Sequence, residues 1–139
     1  MVIDLQQSRN NMSELSKLNY QKLSVLLPSI PSIPEYSKST VPGFMDLHLD
    51  RLEKKGSVYK IALSHYYKHP SGDMIPDPDM TMRVDTAAQT VEALTYQDIY
   101  RYDEVCPDGE VNQSIRKSLN AFLSHWLQNC IDQGHRLAD

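Results

Sequence analysis

A ladder of apolar residues runs through the C-terminal part of the sequence, between about residues 111 and 133. Its members recur at spacings of three and four: Ile115, Leu119, Phe122, Leu123, Trp126, Leu127, Cys130 and Ile131. This period predicts an amphipathic α-helix, with Asn112 as its N-cap and Gly134 as the glycine that follows its end. Because a helix with one broad apolar face must bury that face, the rest of the chain has to supply a second layer.

A second amphipathic helix is predicted near the N-terminus. Asn11, with Glu14 three residues later, forms a variant of the capping box, and Pro28 ends the helical pattern. The apolar residues between them again follow the helical period: Leu15, Leu18, Leu23, Leu26 and Leu27. Residues 1–10 are mostly polar, and we expect them to form a flexible N-terminus.

The middle of the sequence predicts antiparallel strands. Residues 45–50 alternate between apolar and polar side chains, and the strand-like run 58–67 follows after Gly56, which suits a tight turn. The runs MTMRV and TVEALTY predict a second hairpin around DTAAQ, and IYRYDEV predicts a short fifth strand.

The segment 28–43 holds four prolines and four serines. Proline excludes a regular helix here and disfavours a central strand. We therefore interpret this segment as an extended, proline-rich connection between the first helix and the strands.

These patterns together predict an α+β fold. The 139 residues suit a single domain, residues 1–139. A meander of four or five antiparallel strands has an apolar face that must be covered, and two amphipathic helices are available to cover it. We predict a two-layer structure in which both helices pack on one face of the sheet.

Composition narrows the classes of function. A net charge of −4 and a pI near 5.7 argue against nucleic-acid binding driven by phosphate contacts. The sequence has neither a run of about 20 apolar residues nor the apolar core of a signal peptide. Its two cysteines, Cys106 and Cys130, are too few for a disulfide framework or a metal ribbon. We expect a cytoplasmic protein without a cofactor and without a membrane association.

Three segments resemble the YqiB-like family of uncharacterised bacterial proteins, which carry a domain of unknown function. They are LSKLNYQKLSVLLP, DPDMTMRV and LNAFLSHWLQNCIDQGH, in that order, and the resemblance spans roughly Met12 to His135. It implies a small cytosolic bacterial protein, and it assigns no reaction, ligand or residue role.

The acid-rich segment DMIPDPD, residues 73–79, has two interpretations. We favour a stiff turn that leads into a strand, because Asp and Pro are common turn formers and the glycine and closing glutamate of a calcium loop are absent. The alternative is a divalent-cation site in which Asp77 and Asp79 join a distant carboxylate such as Asp46 or Asp50.

Histidines give a weaker metal hypothesis. His65 and His69 are four positions apart, a spacing of about 13 Å along a strand, which is too long for one shared ion without a sharp turn. His48 on the neighbouring strand is a conceivable third ligand. We favour a structural or solvated role for these side chains.

Tyrosines are concentrated in the strand region. Tyr96, Tyr100 and Tyr102 share parity, which predicts one face, and Tyr66 and Arg101 lie in the same region. Tyrosine and arginine are favoured at recognition surfaces, although tyrosine also suits half-buried strands in general. Stacking of single-stranded bases is a further alternative, but the sequence has no motif of the RNA-recognition type.

No nucleophile elbow, P-loop, glycine-rich fingerprint or HExxH motif is present. We therefore predict a non-enzymatic accessory module that binds another protein, or itself, through Tyr66, Tyr96, Tyr100, Arg101 and Tyr102. The alternative is a cation-dependent enzyme or ligand-binding protein that uses Asp77 and Asp79.

Overall fold

Residues 5–138 fold into one six-stranded antiparallel sheet and two helices. The computed structural model describes residues 5–138, with side chains from residue 11 onward. The elements in chain order are α1 (Leu5–Leu26), β1 (Tyr36–Ser39), β2 (Leu47–Lys55), β3 (Val58–Lys68), β4 (Met74–Asp85), β5 (Thr90–Gln97), β6 (Tyr102–Glu104) and α2 (Gln113–Asp132). Every strand pairs with its neighbour in sequence, in the order β1-β2-β3-β4-β5-β6. The predicted two-layer α+β meander is confirmed, with six strands rather than four or five.

Strand β1 accounts for the additional strand, and it lies inside the predicted proline-rich connection. Tyr36–Ser39 pairs with Leu47–Asp50 of β2 and forms one edge of the sheet. The prolines of the segment lie before and after this four-residue run. Its N–H groups are therefore free to pair, and an edge strand tolerates flanking prolines.

The hydrophobic core lies between the helix pair and one face of the sheet. Both helices pack against each other and against β5. Fully buried side chains of this layer come from both helices and the sheet: Leu23 and Leu26 of α1, with Leu27 directly after it; Leu47, Leu49, Ile61, Leu63, Met80 and Met82 of the sheet; Leu119 and Leu123 of α2. The periods of 3.6 and two residues predicted these faces.

Helix α1 begins earlier than predicted. It starts at Leu5 and continues through Asn11 without a break, so the capping box at Asn11 and Glu14 is wrong. The reason is that residues 5–10 contain no proline or glycine to stop a helix that tertiary packing already holds in place. The predicted flexibility of residues 1–10 stays a prediction, because residues 1–4 and the side chains of residues 5–10 lie outside the described part of the chain.

Helix α2 has the predicted ends. The Asn112 side chain accepts a hydrogen bond from the Ile115 N–H at 3.0 Å, and Gly134 has the left-handed φ of 91° that an ordinary side chain disfavours. The chain then turns back over the sheet. The buried Leu137 donates its N–H to the last carbonyl of α1, that of Leu26, at 2.6 Å.

The acid-rich segment is strand rather than turn. Residues 74–79 form the first half of β4, where Pro76 lies opposite Tyr66 and Asp79 opposite Ser64. The turn itself falls at residues 69–73, where Gly72 has a positive φ. Local Asp-Pro chemistry predicted a turn, but pairing with the long β3 overrides it, with one register shift between Ser64 and Tyr66.

Candidate functional site

The face of the sheet opposite the helices carries two adjacent rows of side chains that cross all six strands. Residues directly opposite each other in an antiparallel pair point to the same face. One row is Tyr36, Asp50, Ala62, Thr81, Thr95 and Glu104; the next is Lys38, His48, Ser64, Asp79, Gln97 and Tyr102. We call these two rows, together with Tyr66, the sheet-face strip. Five inter-strand steps make it about 24 Å long, with about 7 Å between the two rows.

Four side chains of the strip contact one another in a chain that runs from β1 to β4: Tyr36, His48, Tyr66 and Asp79. The Tyr36 hydroxyl hydrogen-bonds to His48 Nδ1 at 2.9 Å. The His48 ring meets the Tyr66 ring edge to face, with centroids 6.2 Å apart, and the Tyr66 hydroxyl donates to Asp79 Oδ2 at 2.7 Å. These contacts orient the three rings and the Asp79 carboxylate relative to one another.

The Tyr66 hydroxyl stays a hydrogen-bond donor over the physiological pH range. Burial, and then the hydrogen bond and charge of Asp79, raise the pKa of Tyr66 to about 12. A phenol with so high a pKa does not serve as a general base near neutral pH. The arrangement suits recognition better than proton transfer.

Only some of the predicted tyrosines reach the strip. Tyr66 and Tyr102 lie on it, and Tyr102 is 54% exposed. Tyr96 lies opposite Asp103 on the other face, where its ring packs edge to face on Phe122 of α2 at 5.3 Å.

The shared face predicted for Tyr96, Tyr100 and Tyr102 is therefore wrong. The parity breaks because β5 ends at Gln97 and a turn intervenes. In that turn Asp98 Oδ1 accepts the backbone N–H groups of Tyr100 and Arg101, at 2.7 and 3.0 Å. Tyr100 is 90% exposed in this turn, and the Arg101 guanidinium stacks over the Tyr96 ring at 4.9 Å.

The two predicted metal-binding carboxylates point to different faces of the sheet. Asp79 belongs to the sheet-face strip, whereas Asp77 lines a cleft on the helix side with Trp126 of α2. His48 likewise lies on the strip and His65 is buried on the helix side. Across residues 5–138, no group of three or more His, Cys, Asp or Glu side chains is placed to hold a metal ion.

The cleft on the helix side has a volume of about 400 Å³. Its walls include Phe44, Asp77 and Trp126, and the buried His65 lies at its base. His65 Nδ1 donates to the Asp46 carbonyl at 2.8 Å. This bond leaves Nε2 as the acceptor of the ring.

Below the cleft, Cys130 Sγ lies 3.8 Å from His65 Nε2, a pair that sequence analysis did not identify. A catalytic pair of this kind needs a thiolate next to an imidazolium. Burial instead raises the pKa of the Cys130 thiol to about 12 and lowers the pKa of His65. We interpret the pair as a neutral packing contact between α2 and β3. The helical period placed Cys130 on the apolar face of α2, but no local signal indicated that it meets His65.

A neighbouring histidine completes this buried cluster. The His135 ring lies 5.8 Å from that of His65, and its Nδ1 is 2.9 Å from Ser39 Oγ. Burial first, then repulsion from His65, lowers the pKa of His135. Its Nε2 makes no hydrogen bond of acceptable geometry. The nearby Met45 carbonyl still acts against the lowering of the His135 pKa.

Neither helix, within the described residues, combines the length and the apolar character needed to cross a membrane.

Comparison with known proteins identifies the family alone. A family model described as a domain of unknown function, DUF6908, matches residues 10–136. Because this match covers most of the chain, the chain belongs to that family. No curated protein and no solved structure matches the chain. The resemblance to the YqiB-like family, and the bacterial origin that it implies, stay predictions.

Proposed function

We propose that this member of the DUF6908 family is a cytoplasmic, non-enzymatic accessory module that binds another protein, or a second copy of itself, through the sheet-face strip. One observation carries the proposal: both helices lie on the same side of the sheet, so neither covers the strip. Tyr36 and Tyr102 at its two ends are 53% and 54% exposed. Large, half-exposed aromatic side chains with polar tips are typical of protein-binding surfaces.

The interior of the strip supports the same proposal. Across β3 to β5 one row consists of the small or hydroxyl-bearing residues Ala62, Thr81 and Thr95, and the Thr81 and Thr95 hydroxyls are 2.6 Å apart. Ala62 and Ser64 are buried between larger neighbours. A long surface of this kind, with aromatic rings at its ends and beside small, polar side chains, can accept an elongated partner without a deep pocket.

The cation-dependent alternative has no comparable support. Asp77 and Asp79 point to opposite faces, so they do not form one site with each other. Of the two distant carboxylates considered for such a site, Asp46 pairs with Lys38 at 3.8 Å. The other, Asp50, lies on β2, and β3 separates it from Asp79 on β4.

A comparison of captured proteins tests the proposal. The purified chain and two double variants serve as baits in extracts of the source organism: Tyr36→Ala/Tyr102→Ala on the strip, and Leu18→Ala/Val25→Ala as a control on the exposed side of α1. We expect proteins that the control retains and the strip variant loses. Capture that survives the strip variant, or that the α1 variant abolishes equally, contradicts the proposal.

The oligomeric state of the chain distinguishes self-association from the binding of a different protein. Size-exclusion chromatography with light scattering on the same three proteins shows whether the partner is a second copy. A dimer that the strip variant converts to a monomer indicates self-association, and a monomer throughout indicates a different protein.

A further inference from the structure

The charges of the sheet-face strip identify the chemistry of its partner. Three carboxylates lie on the strip, one on each of three different strands: Asp50, Asp79 and Glu104. Among the described residues, none of the three forms a salt bridge. The single cation of the strip, Lys38, is directed to Asp46 beside it at 3.8 Å. The strip therefore presents excess negative charge.

The cations in the row next to the strip do not cancel this charge. Lys60 and Arg83 lie in the next row toward the β2–β3 turn, where they face each other across β3 and β4. Arg83 is directed to Asp85 at 3.7 Å. The same row also holds Glu53 opposite Lys60 and Glu92 opposite Arg83, so it carries as many acids as bases. It therefore adds no net positive charge beside the strip.

A second copy of the chain fits the strip poorly. In a two-fold symmetric contact the same patch meets itself. The carboxylates would then face carboxylates in a chain whose net charge is already −4, and like charges brought together across an interface oppose association.

We propose that the partner is a protein segment rich in arginine or lysine, which lies in extended form across the six strands. This inference rests on the proposed function and specifies its partner. The strip is narrow, about 24 Å by 7 Å between rows, and this is far below the roughly 800 Å² that a folded partner usually covers on each side. An extended segment of about seven residues spans its length.

The tyrosines supply the second half of this recognition. Tyr36, Tyr66 and Tyr102 each neighbour a carboxylate of the strip, namely Asp50, Asp79 and Glu104. A guanidinium can stack on a tyrosine ring while it pairs with an adjacent carboxylate. The same stacking occurs inside this chain, where Arg101 lies 4.9 Å over the Tyr96 ring.

The test is a titration of the intact, isotope-labelled chain with a synthetic peptide of alternating arginine and glycine, followed by NMR. We expect saturable binding, chemical-shift changes on the residues of the strip, and an affinity that falls as salt rises. Replacing all three carboxylates by their amides, Asp50→Asn/Asp79→Asn/Glu104→Gln, should weaken binding about tenfold or more. Asparagine at 79 still accepts the Tyr66 hydrogen bond, so the variant keeps that contact.

A matched triple variant controls for net charge. Glu14→Gln/Glu110→Gln/Asp132→Asn removes the same three charges at exposed positions outside the strip, and we expect it to bind almost as the unmodified chain does. An equal loss in this control, shifts that map away from the strip, or no binding of the peptide overturns the inference. The capture experiment above tests the strip independently of the partner's charge, because alanine at Tyr36 and Tyr102 should abolish the capture of a partner of any charge.

Discussion

The Tyr66 hydroxyl donates a hydrogen bond of 2.7 Å to Asp79 Oδ2, which joins β3 to β4 on the open face of the sheet. Sequence analysis placed these residues in competing hypotheses, a tyrosine surface and a cation site. The fold brings them into one strip and directs Asp77 to the opposite face. The two aspartates of the proposed cation site therefore lie on different faces, and Asp79 is already hydrogen-bonded to Tyr66.

The pKa of Tyr66 gives a prediction at alkaline pH. It lies at about 12 in the folded chain, against an ordinary value of 10.0. The unfolded chain therefore loses this proton first, so the stabilisation is present below pH 10 and is lost as the pH rises from 10 to about 12. NMR titration of the tyrosine rings measures the pKa directly.

Asp79→Asn should lower the pKa of Tyr66, because it removes the negative charge beside the hydroxyl, while burial keeps the value above 10.0. The control Glu14→Gln, on the helix layer, should leave it unchanged. A Tyr66 pKa that is insensitive to Asp79→Asn contradicts this contact.

Acid should destabilise the chain through the buried histidines. The pKa values of His65 and His135 both lie below the ordinary 6.5, chiefly because of burial, despite the opposing charges of Asp46. The unfolded chain therefore binds protons first. The stability is fully present above about pH 6.5 and falls as the pH drops toward the lower folded values.

Urea unfolding between pH 7.5 and 5 measures this loss. In His65→Gln the dependence on pH should be shallower, although the variant is less stable at every pH. His69→Gln, in the exposed turn, should keep the slope of the unmodified chain. A free energy of unfolding that does not fall between pH 6.5 and 5 contradicts the assignment of neutral, buried rings.

The core prediction concerns α2. Leu123 is fully buried between the helix pair and the sheet, and Leu123→Ala should lower the free energy of unfolding by about 2–5 kcal/mol. Val25→Ala, on the exposed side of α1, should change it by about 0.5 kcal/mol or less. Equal effects in chemical denaturation would contradict the packing of α2 on the sheet.

Ser39 anchors the chain beyond α2. Its Oγ contacts His135 Nδ1 and accepts the Arg136 N–H, each at 2.9 Å. Ser39→Ala leaves both groups without this partner and should cost about 1–3 kcal/mol. Amide hydrogen exchange at Leu137 should also accelerate, whereas Thr40→Ala, at the exposed neighbour, should change neither quantity.

The helices and hairpins were predictable because their patterns are local. The 3.6-residue period identified α2 together with its caps at Asn112 and Gly134, and the period of two identified β2 to β5. Strand β1 was not predictable in the same way, since Tyr36–Ser39 is a strand only because β2 pairs with it. A four-residue segment flanked by prolines has no clear strand pattern of its own, so its pairing with β2 could not be predicted from local sequence.

The candidate site depends more on such distant pairing than the fold does. Parity along the chain predicted one face for Tyr96 and Tyr102, but the turn between β5 and β6 reverses their directions. Local turn chemistry misplaced Asp77 and Asp79 in a loop. The contact between His65 and Cys130, 65 positions apart, had no local signal at all.

The most direct test of the sheet-face strip as the binding surface is site-specific photo-cross-linking. A photoreactive phenylalanine analogue replaces Tyr102 on the strip, or Val25 on the exposed side of α1, and the chain is irradiated in extracts of the source organism. The account predicts a discrete cross-linked protein from position 102 and none from position 25. The same product from both positions, or a product from position 25 alone, contradicts it.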